Sequence, residues 1–369
     1  MKTTDVGSLP LEGDRGLFLR GAAKAKTPKQ KLDEKDLNEV AYFEEKVLQG
    51  LIDKLRAGIE IPTYPQFRDM NEMFLEMMQG VAKLREGYVL MEQPTVVDGR
   101  IPEVYVIKEH AKEIAEAIGQ PFKIRVCVTG PHTLSHLFLH RSPELFTALG
   151  EALKRIVEDT LFKTKHGETA VLTLDEPLLG VVDDHLLDYG STGRENLLRA
   201  WEKIYSTATE KGIRTCMHLH STTEKLFWQT ENLKTIESHV DDPIYKKQET
   251  KQLLKQNEKQ IVATICHTQY DQLIKTKIKQ QNPKITEEEL AQKIGETWTK
   301  IRKNQTDPTK YLETKETMQK RLKNLIKTLG KETIALVGPE CGLGGFPNYK
   351  TAIKYLKTLA EATKTTLNP

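Results

Sequence analysis

Short apolar runs alternate with longer amphipathic stretches along this chain, and that rhythm restricts its fold more than any other property. The runs are 3–6, 59–61, 95–97, 124–128, 170–174, 213–219, 233–236, 261–266 and 334–337. Between them, apolar residues recur at helical spacing over 36–57, 68–86, 108–118, 143–165, 194–211, 310–329 and 349–363. Alternating strand and helix of this kind builds an α/β fold with a parallel sheet that helices cover. The pattern predicts a single (β/α)8 TIM barrel over 1–369, since such a barrel takes about 250 residues and accepts insertions. Run 95–97 lies between Pro94 and the Asp98-Gly99 turn signal and is assigned to an excursion outside the barrel. Two stretches break the rhythm. Residues 10–34, rich in Gly, Lys and Pro, predict a long loop, and 272–309, rich in Lys, Gln, Glu and Thr, predict a helical insertion before the last strand.

Charge excludes some functions. The 55 Lys and Arg nearly balance 52 Asp and Glu, leaving +3, and no zinc-finger or RNA-recognition pattern is present. A nucleic-acid partner is not expected. No twenty-residue apolar run suggests a membrane span, and the first ten residues lack the apolar stretch of a signal peptide. Cys127, Cys216, Cys266 and Cys341 form no close pair in sequence, which argues against a disulfide framework and for a reducing cytoplasm.

The residues after each run carry the chemistry. The runs lead into Gly-Ser-Leu-Pro (7–10), Pro-Thr-Tyr-Pro-Gln (62–66), Thr-Gly-Pro-His (129–132), Asp-Glu-Pro (175–177), His-Leu-His-Ser (218–221), Glu-Ser-His (237–239), His-Thr (267–268) and Gly-Pro-Glu-Cys-Gly (338–342). In a barrel all strand C-termini meet at one mouth, where active sites sit. Strand alternation puts Cys216, His218 and His220 on one face, with Cys216 a layer below the two histidines. Imidazole, carboxylate and thiolate are the ligand types zinc prefers, so His218, His220, Glu237 and Cys341 are the candidate metal ligands. Each also has a plainer role open to it: Glu237 and Asp175 as helix-cap partners, Ser8 as a turn residue, Cys341 as a small buried apolar group.

Taken in order, these strand ends resemble the cobalamin-independent methionine synthase family, specifically its C-terminal catalytic barrel. The resemblance rests on Thr3-Thr4-Asp5-Val6-Gly7-Ser8-Leu9-Pro10, Arg68–Phe74, Pro94–Gly99, Thr129-Gly130-Pro131, Asp175-Glu176-Pro177 and Pro339-Glu340-Cys341-Gly342-Leu343. It spans nearly the whole chain and matches short core forms that lack the additional N-terminal barrel. It implies zinc as cofactor, homocysteine as substrate and a methyl donor as co-substrate. The family holds zinc through a His-X-Cys pair, a Glu and a Cys. Here His218, Glu237 and Cys341 match, while His220 replaces the second cysteine and Cys216 is the nearest alternative. Asp175 resembles the carboxylate that binds the homocysteine ammonium. Val6, Gly7 and Ser8 resemble the strand end that binds its carboxylate. His267 matches a histidine near the leaving group.

The folate side departs from the family. Leu137 stands where the family has a pterin-stacking Trp, Met91-Glu92-Gln93-Pro94-Thr95 replaces an Arg-bearing segment, and Gln66 replaces an acid in the second strand's loop. An imidazole in place of a thiolate also makes the metal a stronger Lewis acid and the substrate sulfur a weaker nucleophile, which calls for a more reactive donor. The expected donor is therefore methylcobalamin or a methylcorrinoid protein rather than methyltetrahydrofolate, with 272–309 as a place for that protein to dock. Competing readings are methyl or alkyl transfer to coenzyme M, a metal-free decarboxylase of the uroporphyrinogen type on the same barrel, and a non-catalytic corrinoid-binding protein.

Overall fold

The computed structural model describes residues 1–367. Its strands are β1 (Lys2–Thr3), β2 (Gln79–Lys83), β3 (Tyr88–Thr95), β4 (Phe122–Thr129), β5 (Gly167–Asp175), β6 (Arg214–His218), β7 (Thr235–Glu237), β8 (Gln260–Thr264) and β9 (Ile334–Gly338). Among the described residues, seven of them form one parallel sheet in the order β1-β9-β8-β7-β6-β5-β4, the architecture of a TIM-like α/β fold. β2 and β3 pair as an antiparallel hairpin outside the sheet, and Tyr88 of β3 also bridges to Phe138. The excursion expected around 95–97 is this hairpin's end.

The sheet's two edges, β1 and β4, both meet the segment 61–66. Ile61 N donates to Thr3 O at 2.9 Å and Gln66 N to Gly7 O at 3.2 Å, while Arg125 N donates to Pro62 O at 2.8 Å. Isolated parallel bridges pair Ile61 with Thr4, Gln66 with Ser8 and Thr63 with Arg125. Pro62 and Pro65 have no N–H to offer, which is why this run bridges both edges without becoming a regular strand. Lys54, fully buried, fastens the same corner: its Nζ lies 2.7 Å from Asp5 Oδ2 and donates to Gly7 O and Thr63 O.

Helices cover the outside. Glu34–Arg56 starts on the Asp33 side chain, carries acids in its first turn and bases in its last, and turns Val40, Phe43, Val47 and Leu51 inward at three- and four-residue spacing. One large apolar cluster fills the space between helices and sheet. A second, of Ile61, Val171, Cys216, Val262 and Leu336, lies apart from it, with one residue from 61–66 and one from each of four sheet strands. Among the described residues, no helix is long and apolar enough to cross a membrane.

Two expectations fail locally. Residues 10–34 are not a continuous loop, because Arg15–Lys24 is helical. Its Gly21 packs so tightly that an added Cβ would stand 2.2 Å from the Glu39 carbonyl oxygen, so contact with the next helix sustains what composition does not favour. Residues 68–86 hold only the short helix Glu72–Leu75 before β2 begins. Helices Tyr270–Gln281 and Glu287–Arg302 occupy the region 272–309, the second opened by a Thr286/Glu289 capping box.

Candidate metal and thiol site

Sheet register builds the site. Asp175, His218 and Glu237 end three adjacent strands and are in register, and Thr173, Cys216 and Thr235 form the layer beneath. Neighbours in parallel register point to the same face, so carboxylate, imidazole and carboxylate line up at the C-terminal edge. β6 stops at His218, yet His220 still reaches the site: its Nε2 lies 3.6 Å from Cys341 Sγ. The His218 and His220 rings meet edge-on with centroids 5.5 Å apart.

His218, His220 and Cys341 each offer one ligand atom such that all lie within 4.8 Å of one another. Both ring nitrogens of buried His218 lack a partner of hydrogen-bonding geometry. Orphaned imidazole nitrogens beside a thiol are what a zinc ligand set presents, and the donors fit that ion. Burial by itself would raise the Cys341 thiol's pKa, but the three imidazoles of His218, His220 and His239 outweigh it and hold the pKa well below the usual thiol value. Burial likewise opposes charge on His218, yet Cys341 and Glu237 carry its pKa up to about 10.

Glu237, the acid expected among the ligands, stands outside that trio. Its Oε2 is 3.2 Å from His218 Nδ1, at an angle that makes no hydrogen bond. The same carboxylate is gripped by Arg125 Nη1 and Nη2 from β4, both side chains being 0% exposed. Burial disfavours the charge on Glu237; Arg125 and His218 overcome this and hold the carboxyl at about 2.

Asp175 is 3% exposed and its Oδ1 has no partner. Burial pushes its pKa up to about 7 against the pull of His218 and Arg125. A buried carboxylate with an open oxygen suits a cationic group arriving with a ligand. The turn after β1 packs between segment 61–66 and the loop that bears Cys341. Gly7 has φ +128°, and a Cβ there would stand 2.5 Å from Gln66 Oε1, so only glycine fits. Ser8 accepts from Leu343 N through its carbonyl and from Gly344 N through its hydroxyl, joining this turn to the loop that bears Cys341. Val6 O lies 3.6 Å from Cys127 Sγ.

His267 is set to one side. Its Nδ1 is 3.0 Å from Glu340 Oε2 and its Nε2 3.8 Å from Asp241 Oδ2. Burial opposes protonation, but Glu340 raises the ring's pKa above the ordinary value. Glu340 also accepts from Thr268 N and Val240 N, tying the loops after β7 and β8 to the residue before Cys341.

Sequence reading missed Arg125, His239 and Glu340. Arg125 sits within an apolar run, and an arginine in a strand buried on both faces has to find a buried acid, which was the available signal. His239 belongs to the Glu-Ser-His strand end; its ring centroid is 4.2 Å from that of His220.

Comparison with known proteins is informative at the level of fold. No protein-family model matches the chain, and no curated protein matches it. Among solved structures, the B12-independent methionine synthase of Shewanella sp. W3-18-1, in complex with selenomethionine, aligns at TM-score 0.57 and 17% identity over 99% of this chain and 98% of that one. A Listeria monocytogenes structure described as a vitamin-B12 independent methionine synthase aligns at TM-score 0.59 and 14% identity, again over 99% and 98%. The chain therefore has the fold of the structures that its strand-end motifs resemble, along its whole length.

Proposed function

We propose that this chain is a zinc-dependent homocysteine S-methyltransferase that forms methionine. The observation carrying the reading is the convergence of His218, His220 and Cys341 beside the register layer of Asp175, His218 and Glu237. In this reading the segment 61–66 completes a (β/α)8 barrel whose mouth holds the site.

His218, His220 and Cys341 would hold zinc, with Glu237 as the fourth ligand. The bound ion would supply thiol activation, since a free thiol's pKa of about 8.5 leaves it mostly protonated at neutral pH. Asp175 pairs with the amino-acid ammonium, which draws its pKa back below neutrality. Val6, Gly7, Ser8 and Gln66 line the wall that receives the carboxylate end. His267, whose pKa Glu340 raises, would serve as acid or electrostatic partner to the leaving group. Arg125 offsets the charge of Glu237, so the site keeps an excess of positive charge that an incoming thiolate neutralises. That balance favours sulfur binding over sulfur nucleophilicity and fits a reactive donor, methylcobalamin or a methylcorrinoid protein rather than methyltetrahydrofolate. Asp175 favours an amino acid over the sulfonate of coenzyme M, which calls for a cation.

The test is zinc content together with methyl transfer to homocysteine, from methylcobalamin and from methyltetrahydrofolate, for wild type and Cys341→Ser. The expected result is Cys341-dependent zinc and transfer from methylcobalamin. Zinc-replete protein without bound metal overturns the reading, and a preference for the folate donor overturns its donor assignment.

A further inference from the structure

A second group of metal-ligating side chains lies on the loops after β4 and β5, and the thiol site does not use it. His132 and His136 are four residues apart on the turn that contains the helix Pro131–Ser135, and their Nε2 atoms face each other at 3.3 Å. Asp184 Oδ2 lies 3.1 Å from His132 Nε2 and 3.5 Å from His136 Nε2. These lengths have a simple meaning. A tetrahedral ion with bonds of about 2.0–2.1 Å has ligand–ligand edges of about 3.3–3.4 Å, so three atoms spaced in this way form one face of that tetrahedron.

The surroundings support the ligands. The side chains of His132 and Asp184 are 0% and 1% exposed, while His136 at 15% leaves a way in. Glu176 accepts from His132 N and Thr133 N and from Trp201 Nε1, which fixes the backbone that carries His132. Arg141 donates to both Asp184 oxygens and Leu186 N to Oδ1, and ligating carboxylates are held by outer partners of this kind. His132 Nε2 donates to Asp184 Oδ2 at 3.1 Å while its Nδ1 has no partner, so an ion that replaces the Nε2 proton leaves Nδ1 to carry it.

We propose that His132, His136 and Asp184 form a second divalent-metal site, distinct from the thiol site. Two imidazoles and one carboxylate suit zinc and neighbouring first-row ions rather than magnesium or calcium. Three protein ligands leave a coordination position for water or an anionic group, which the adjacent Arg141 also favours. Glu176 directly follows Asp175, so the second site adjoins the wall assigned to the substrate ammonium.

The experiment is metal stoichiometry of the full chain, stripped with chelator and reloaded with Zn²⁺ or Co²⁺. Wild type is expected to take two ions per chain. His136→Ala and Asp184→Asn are each expected to keep one, and Cys341→Ser the other. In the Co²⁺ form, sulfur-to-metal charge-transfer absorption should vanish in Cys341→Ser and persist in His136→Ala. A wild type that never exceeds one ion, unchanged in His136→Ala and Asp184→Asn, overturns the second site. So does retention of two ions by both variants. One ion, lost in His136→Ala and kept in Cys341→Ser, would uphold the second site and overturn the thiol-site reading instead. If His136→Ala does not fold, His136→Gln and Asp184→Asn read the same quantity.

Discussion

Replacing Arg125 by methionine isolates the charge balance beneath the site. Arg125 and Glu237 are both 0% exposed, and the two guanidinium nitrogens span the carboxylate. Removing one partner of such a pair costs about 3–5 kcal/mol, because the other charge stays buried. His218, 3.2 Å from the same carboxylate, can share that charge and moves the expectation toward the lower end, about 3 kcal/mol. For a large domain each kcal/mol shifts Tm by roughly 2 °C or a little more, so Arg125→Met should melt about 6–8 °C below wild type. The double variant Arg125→Met/Glu237→Gln removes both charges at similar volume and should recover most of that loss. Thermal melts of metal-free protein at pH 7 decide the matter. The reasoning fails if Arg125→Met melts within about 1 °C of wild type, or if the double variant is no more stable than the single.

Other expectations are more local. Asp175→Asn should raise KM for homocysteine well above its effect on kcat, measured with saturating donor; an unchanged KM would remove Asp175 from the substrate wall. In metal-free protein the Asp175 carboxyl titrates near 7 when folded and near its ordinary value when unfolded. The unfolded chain therefore releases this proton first, and stability present below about pH 4 is lost as pH rises toward 7. Asp175→Asn should lack that decline, so its Tm relative to wild type should climb across the window; a flat difference contradicts the assignment. Gly7→Ala should destabilise by about 1–3 kcal/mol, since it meets both a positive φ and the Gln66 side chain, and melts like wild type would contradict the tight turn. His220→Cys should retain zinc at the thiol site and His220→Ala should weaken its binding; zinc affinity unchanged in His220→Ala would show that position 220 does not face the metal.

Much of the site was legible because strand ends announce themselves. Asp175, His218 and Glu237 each close an apolar run, and regular pairing then fixes their common layer. Cys341 was legible for the same reason. What sequence could not convey was contact between strands that are not neighbours in the sheet. Arg125 reads as a lapse in an apolar run until Glu237, far away in sequence, is set opposite it. Lys54 reads as a solvated helical lysine until its ammonium is found on Asp5. The helical reading of 68–86 takes in β2 because that strand leaves no clean alternation: its residues are exposed or half-buried on both faces. Its pairing comes from the partner strand rather than from its own pattern.

The turn after β1 is bonded to the loop that bears Cys341, and β1 itself pairs with β9, the last strand among the described residues. The strand that opens the described fold and the one that closes its sheet therefore seat each other. A segment that carries His218 and His220 alone has neither Cys341 nor the strand that leads to it. A disturbance of the Ser8 turn would thereby be felt at Cys341, although the two are far apart in sequence.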